Sequence, residues 1–489
     1  MGRRKIPRHD DGTPLEPDRA AMRRLLAEVG ERLVEHLATI GEQPTSQVAG
    51  GRKLAHALRE PMPERGAPLE RVLRLLFGRV VPASLNTASP GYMAYIPGGG
   101  LYTAALADLV ALGTNRYATL WQAGPGLAQI EKNVLDWIAA SLGMPEATSG
   151  IFTSGGSLAN LTAIVTARHD RLPPDFLRGT LYCSDQIHHS VTKAARIAGF
   201  PSERVRVLPS DAELRLDPNR LEAAIAADRA LGLSPFCVVA SAGTTNTGAI
   251  DPLDAIAKIC ARERLWLHVD AAYGGFFAWT ERGRARLGGI ELADSVTLDP
   301  HKSLFLPYGT GCLLVRDREA LRRAHAERGA YLPAQGPDPD WVDACDLSPE
   351  LSREARGLRV WLPLKLHGAR AFREALDEKI DLARHAADAI AKMSGMRLVT
   401  QPELSLFAFR YEGDGQCSEA ELEAVNRKLL AAINARQRVF LTGTTLPPAP
   451  GSGDARFVLR LCVLSVRTHR EHVDRALEDL EAALGEVLA

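Results

Sequence analysis

The chain has 489 residues, and its 59 lysines and arginines are balanced by 59 aspartates and glutamates, so the formal net charge is zero. That balance removes the electrostatic case for nucleic acid or an anionic membrane surface as a partner. A hydrophobic content of 46% with 24% charged residues fits a folded, enzyme-sized chain of two or three domains with a large core.

Seven cysteines (Cys183, Cys237, Cys260, Cys312, Cys345, Cys417 and Cys462) are scattered without CxxC spacing. An odd, dispersed set in a long chain reads as reduced thiols, and the expected location is cytoplasmic. The basic start, Met1 to Pro7, is not followed by an apolar stretch, so no secretory signal is expected. No apolar run is long enough to span a bilayer.

In chain order, residues 1–17 are polar and proline-containing. From 17 to 40 the apolar positions Met22, Leu25, Leu26, Val29, Leu33 and Leu37 recur at helical spacing, and a second helix is predicted over 68–80. Residues 1–85 therefore form a helical arm. From 86 to 366 short apolar runs alternate with helical stretches. Strands are predicted at 181–183, 205–208, 236–240, 265–269 and 296–298, with helices over 221–231 and 253–263 between them. This is an α/β domain with a mostly parallel sheet, whose ligands collect beyond the carboxyl ends of the strands. Residues 367–489 form a smaller α+β domain. A helix over 361–376 leads into it. A strand at 407–411, a helix near 419–436, a strand at 457–462 and a closing helix from 471 follow. The loop holding Pro447, Pro448, Pro450, Gly451 and Gly453 is expected to be flexible.

Two strand ends carry the chemistry. The run 294–298 feeds Asp299-Pro300-His301-Lys302, ahead of a glycine-containing turn. A lysine just past a buried strand suits an amine that must be desolvated and aimed. Upstream, Leu265-Trp266-Leu267-His268-Val269-Asp270 ends in Ala271-Ala272-Tyr273-Gly274-Gly275. A lone aspartate there would read as a cap or turn residue. Paired with Lys302 it suits pyridoxal phosphate: Lys302 forms the Schiff base, and the Asp270 carboxylate keeps the pyridine nitrogen protonated so that the ring is an electron sink. Thr153-Ser154-Gly155-Gly156-Ser157-Leu158-Ala159-Asn160 precedes a helical run and is either a plain cap or a phosphate cradle. His188, in Gln186-Ile187-His188-His189-Ser190, is by itself a loop histidine. Adjacent histidines do not converge on one metal, and no metal site is expected.

These motifs resemble the group II pyridoxal-phosphate-dependent amino acid decarboxylases, the family of the aromatic-L-amino-acid, histidine and glutamate decarboxylases. The residues that carry the resemblance are His268-Val269-Asp270-Ala271-Ala272, Asp299-Pro300-His301-Lys302, Ser184-Asp185-Gln186-Ile187-His188, and Ser89-Pro90 with Ala94-Tyr95-Ile96-Pro97, in the family's order from about residue 70 onward. The resemblance implies fold type I, the aspartate-aminotransferase-like architecture, and a homodimer whose helical arms pack across the partner. It implies that Gly155, Gly156, Ser157 and His301 hold the phosphate, that His188 stacks on the pyridine ring and reaches the substrate carboxylate, that Ala272 packs on the opposite face, and that Thr245 contacts the cofactor. Tyr331 matches a loop tyrosine that protonates the substrate carbon after carbon dioxide leaves, a reading preferred to that of a surface tyrosine. Arg353 matches an arginine at the far end of that loop, and Glu354 stands where a basic residue is common. Tyr95, Ile96 and Pro97 match pocket-lining positions, and Tyr117 and Thr119 match positions that reach in from the partner subunit. Thr87 stands where producers of aromatic amines carry tryptophan.

The expected reaction is α-decarboxylation of an L-amino acid, aromatic or related, to the amine and carbon dioxide. Oxygen-dependent conversion to an aldehyde stays open with the same residues. So do an aminotransferase or carbon–carbon lyase on the same fold, since fold does not fix reaction, and a cofactor-free scaffold.

Overall fold

The computed structural model describes residues 15–327, 329, 341–413, 415, 417–448 and 453–489. Two units, Met1–Ser89 and Pro90–Ala489, each hold together by their own contacts.

In the first unit the predicted leading helix runs Arg19–Ala38, started by Asp18, whose carboxylate accepts from the Ala21 N–H at 2.7 Å. None of its residues is buried, and Met22, Leu25, Leu26 and Val29 are all exposed. A short helix, Gly51–Ala57, was not expected; seven residues are too few for a periodic pattern to declare itself. The helix predicted over 68–80 is Leu69–Leu75 running into a wider π-turn at Leu76–Val80.

The second unit is built on a seven-stranded sheet: β1 (Ser149–Thr153), β2 (Gly179–Ser184), β3 (Val205–Leu208), β4 (Ser234–Ser241), β5 (Trp266–Asp270), β6 (Ser295–Leu298) and β7 (Gly311–Val315). The spatial order is β1-β7-β6-β5-β4-β2-β3. Strands β6, β5, β4, β2 and β3 are mutually parallel, and β7 runs antiparallel to both β6 and β1. Helices cover both faces, which is why Phe236-Cys237-Val238-Val239-Ala240 reads as an unbroken apolar run: each of these residues is fully buried. The helix Leu253–Glu263 lies where the periodicity put it. Strand β1 went unrecognised because only Ile151 and Phe152 in it are large and apolar.

A four-stranded antiparallel sheet follows, in the order β10-β11-β9-β8, with β8 at Met396–Leu398, β9 at Leu406–Tyr411, β10 at Thr442–Leu446 and β11 at Arg456–Cys462. Helices Glu419–Ala435 and Arg470–Leu488 pack with it around a second core that includes Phe407, Phe409, Leu429, Leu459 and Leu480. The edge strands β8 and β10 escaped the sequence reading; one is three residues long and the other, Thr442-Gly443-Thr444-Thr445-Leu446, is mostly polar. The helix expected over 361–376 is longer, Gly357–Ile390, and crosses the expected domain boundary at 366/367. It breaks at Gly368 (φ 75°, ψ 152°), a conformation open to glycine. Positions 449–452 of the proline- and glycine-containing loop lie outside the described residues.

Candidate active site

Four connections leave the carboxyl ends of parallel strands on one edge of the large sheet: β2 to His188, β4 to Gly243–Thr245, β5 to Asp270 and Ala272, and β6 to Asp299–Lys302. They enclose a cavity of about 250 Å³. All nine residues expected around the cofactor line it: Gly155, Gly156, Ser157, His188, Thr245, Asp270, Ala272, His301 and Lys302.

The cradle side is made by β1 turning into the helix Gly156–Arg171. No side chain caps that helix, so its first N–H groups and the positive end of its dipole face the cavity. Side chains would be crowded at the two glycines of the turn. A Cβ on Gly156 would meet Asp299 Oδ2 at 2.9 Å and Ala272 Cβ at 3.3 Å, and one on Gly155 would meet His301 Cε1 at 3.3 Å. His301 donates from Nδ1 to the Thr310 carbonyl at 2.6 Å. Burial pushes its imidazole below the ordinary value, against the pull of Asp299. An uncapped helix end and bare glycines form a backbone donor set that fits a phosphate, with His301 beside it.

Lys302 reaches the cavity because Pro300 starts a single helical turn, Pro300–Ser303. Asp299 sits at the cap position of that turn without capping it; its Oδ2 instead accepts from Lys302 Nζ at 2.8 Å. The Lys302 side chain is 22% accessible and that of Asp299 only 2%. Burial alone would lower the Lys302 ammonium, but the Asp299 charge and hydrogen bond outweigh it and the group is held above its ordinary value. Asp299 Oδ1 is buried with no hydrogen-bond partner among the described residues.

Asp270, at the end of β5, accepts from Asn160 Nδ2 at 2.9 Å and from the Ala272 N–H at 3.1 Å. His188 starts the helix His189–Ile197, its Nδ1 accepting from the Ser190 N–H at 3.3 Å. Burial pushes its imidazole down, and Asp270 opposes this. His189 is exposed, its ring 4.2 Å from that of His188.

The remaining expected residues are placed differently. Tyr95, Ile96 and Pro97 do not line the cavity. Their segment passes close by, since a Cβ on the following Gly98 would meet the Lys302 carbonyl at 2.9 Å. Tyr95 is 55% exposed with φ at 52°, a left-handed conformation uncommon outside glycine. Tyr117 donates to the Leu351 carbonyl at 3.3 Å, and the Thr119 carbonyl accepts from the Ala344 N–H at 2.9 Å; neither residue lines the cavity. Arg353 pairs with Glu131, and Glu354 accepts from Arg356 at 3.1 Å. Tyr331 lies outside the described residues.

Four residues without an assigned role in the sequence reading join this site. Asn160 and Ser190 line the cavity, Asp299 holds Lys302, and Arg460 of β11 reaches across to the turn after β4. Arg460 donates to the Asn246 carbonyl at 2.9 Å and to the Thr245 carbonyl, which ties the smaller sheet to the cavity wall. Asp299 stood inside a quoted motif, and Asn160 one turn into the helix after the double glycine; an arginine inside the apolar run 457–462 was the signal for Arg460.

The pyridoxal-dependent decarboxylase conserved domain matches residues 53–412. The aromatic-L-amino-acid decarboxylase of Bacillus atrophaeus is 35% identical over 467 residues, which cover 95% of this chain and 96% of that protein. Tryptophan decarboxylase 1 of Oryza sativa subsp. japonica is 31% identical over 459 residues, covering 89% and 88%. The crystal structure of Oryza sativa TDC with PLP and tryptamine superposes with a TM-score of 0.91 at 29% identity, over 98% of this chain and 100% of that one.

Proposed function

The chain belongs to the pyridoxal-phosphate-dependent amino acid decarboxylases, and from that premise we propose that it converts an aromatic L-amino acid to its amine and carbon dioxide, with Lys302, Asp270, His188 and Tyr331 as its catalytic residues. That it is an enzyme of fold type I using pyridoxal phosphate for amino acid decarboxylation follows from the family. The observation that carries the residue assignment is that Lys302 and Asp270, from the ends of adjacent parallel strands, line one cavity whose far wall is an uncapped helix end.

The bound cofactor supplies an electron sink for the pair released when the Cα–carboxylate bond breaks. Lys302 is the amine that attaches it. Asp270 holds the proton at the ring nitrogen, and Asn160 and the Ala272 N–H fix the carboxylate for that task. Gly155, Gly156, Ser157 and His301 bind the phosphate. His188 and Ala272 flank the ring, Thr245 contacts the cofactor, and His188 also orients the substrate carboxylate. Tyr331 returns a proton to Cα. Tyr95, Ile96 and Pro97 border the substrate side chain. Tyr117 and Thr119 serve the site of a partner subunit in a homodimer, a reading supported by the exposed apolar face of the helix Arg19–Ala38. A cytoplasmic location is supported by seven cysteines that are all free, five of them buried. No helix among the described residues is long and apolar enough to cross a membrane.

The test is turnover by cofactor-loaded protein on L-tryptophan, L-tyrosine, L-phenylalanine and L-glutamate, with products identified by mass spectrometry and dissolved oxygen recorded. An aromatic amine without oxygen uptake is the expected result. An aldehyde with oxygen uptake overturns the assignment of Tyr331. Turnover of glutamate alone overturns the substrate class.

A further inference from the structure

Behind the cavity runs a chain of buried polar groups whose hydrogen-bond directions can be worked out one by one. It begins at Trp266, whose indole N–H can only donate and does so to Ser295 Oγ at 2.8 Å. Ser295 Oγ lies 2.8 Å from His268 Nδ1, and it donates there because the Asn160 amide on the other side of the ring requires the His268 proton on Nε2. His268 then carries its proton on Nε2, 3.0 Å from Asn160 Oδ1 and 3.4 Å from Thr297 Oγ1. Burial pushes the His268 imidazole down to about 4, which keeps this ring neutral near pH 7 and leaves it one proton to place.

The orientation of Asn160 is fixed from the other side. Its Nδ2 stands 2.9 Å from Asp270 Oδ2 and 2.9 Å from Ser190 Oγ. A carboxylate accepts only, so a flipped amide would set oxygen against oxygen at 2.9 Å while leaving His268 facing an NH₂ group. The carboxylate therefore selects one rotamer of the amide, and that rotamer places the His268 proton on Nε2. Ser190 Oγ, receiving one Asn160 proton, has its own proton for His188 Nδ1 at 2.7 Å. The Ser190 backbone N–H points at the same nitrogen from 3.3 Å. With two donors on Nδ1, a neutral His188 holds its proton on Nε2.

We propose that Asn160 is a positioning residue which, by donating to Asp270 and Ser190 at once, sets His188 as the Nε2–H tautomer, so that this imidazole offers the substrate a hydrogen-bond donor and not a base. The inference rests on the placement of His188 against cofactor and substrate given above. Its consequence is specific: a donor at Nε2 can hold a substrate carboxylate, whereas the other tautomer would turn a lone pair toward it. The carboxylate assigned to the ring nitrogen is bonded to the Asn160 amide directly and the imidazole assigned to the ring face through Ser190, so movement of one is resisted through the other.

The tautomer is read directly from protein labelled with ¹⁵N-histidine, by two-bond ¹H–¹⁵N correlation spectra, with the His188 signals assigned by their loss in His188→Gln. The bonds that set the tautomer are all between groups of this chain, so the spectra are taken both without and with cofactor. The expected wild-type result is His188 as Nε2–H. In Asn160→Ala, Ser190 is freed to point elsewhere and the tautomer ratio shifts by about tenfold, the size of one neutral hydrogen bond. Ser190→Ala leaves the Asn160–Asp270 bond in place and is expected to shift the same ratio, so an unfolded Asn160→Ala does not decide the matter. A wild-type His188 protonated on Nδ1, or a ratio unchanged in the folded variants, overturns the proposal. A protein that gains no visible absorbance with cofactor would instead overturn the assignment of Lys302, and the cofactor-free spectra would still test the tautomer.

Discussion

Lys302 Nζ lies 2.8 Å from Oδ2 of Asp299, three residues back along the same turn, in a site where the carboxylate is almost fully buried. The pair answers a problem set by the sequence: an amine placed to be desolvated needs a counter-charge while it is free. Asp299 supplies it, and the Lys302 ammonium is held above its ordinary value of 10.5 in consequence. A raised lysine contributes stability that is complete below its unfolded value and is lost as pH rises through the folded one. In cofactor-free protein, Asp299→Asn is expected to cost about 1–3 kcal/mol below pH 10. Thermal melts from pH 8 to 11 check this. The gap from wild type should be constant at first and then close above about pH 10.5; a gap that persists unchanged at pH 11 would rule out the pair as its source.

Gly156 occupies a space with no room for a methyl group. A Cβ there meets Asp299 Oδ2 at 2.9 Å and Ala272 Cβ at 3.3 Å, both parts of the cavity wall. Gly156→Ala must push Asp299 or the helix start aside, and overpacking of this kind costs typically ~1–3 kcal/mol. Because the strain falls on the phosphate side, it should appear in cofactor affinity, with the dissociation constant rising roughly tenfold or more. Fluorescence titration of the cofactor-free variant measures it. Wild-type affinity in that variant would mean that the cradle lies elsewhere.

The sequence displayed the large sheet because its strands are buried on both faces and read as apolar runs, and it displayed Asp270 and Lys302 because each ends such a run. It hid β1, which is buried but has only two large apolar residues, and β8 and β10, which are short or polar and lie at the sheet margins, where burial no longer dictates composition. In the site, the residues that face the cavity were legible through motifs. Those that hold them were not: Asn160 meets His268 across 108 positions and Arg460 meets Asn246 across 214, and no local pattern records a contact of that range. Tyr95 is a further case, since nothing in Ala94-Tyr95-Ile96 announces a left-handed backbone.

Asp270→Asn preserves the size of the side chain and removes its charge. The amide can still accept from the Ala272 N–H, while its NH₂ replaces the oxygen that accepted from Asn160, so β5 keeps one of the two bonds at its end and loses the other. With no carboxylate to keep the ring nitrogen protonated, turnover should fall roughly 10²–10³-fold, the usual scale for losing a placed electrostatic contact. Steady-state kinetics on the best aromatic substrate separate this from a binding defect, because the loss should lie in kcat with KM little changed. Loss confined to KM would place Asp270 outside the chemistry.

His268 is fully buried and its imidazole is pushed down to about 4 by that burial, against the opposing pull of Asp270. In the unfolded chain the same ring returns to its ordinary value of 6.5. The sign follows from proton binding: below pH 6.5 the unfolded state takes up a proton that the folded state refuses, so stability is complete above 6.5 and drains away as pH falls toward 4. The gap corresponds to about 3 kcal/mol at most. His268→Gln has no proton to gain in this range. It should be less stable than wild type at pH 7, through loss of the bond with Ser295, yet lose less on acidification. Urea melts of both proteins at pH 7, 6, 5 and 4.5 give the comparison. Parallel curves for the two would show that His268 titrates alike in the folded and unfolded chains, and would remove the ground for reading it as a neutral, single-tautomer link between Ser295 and Asn160.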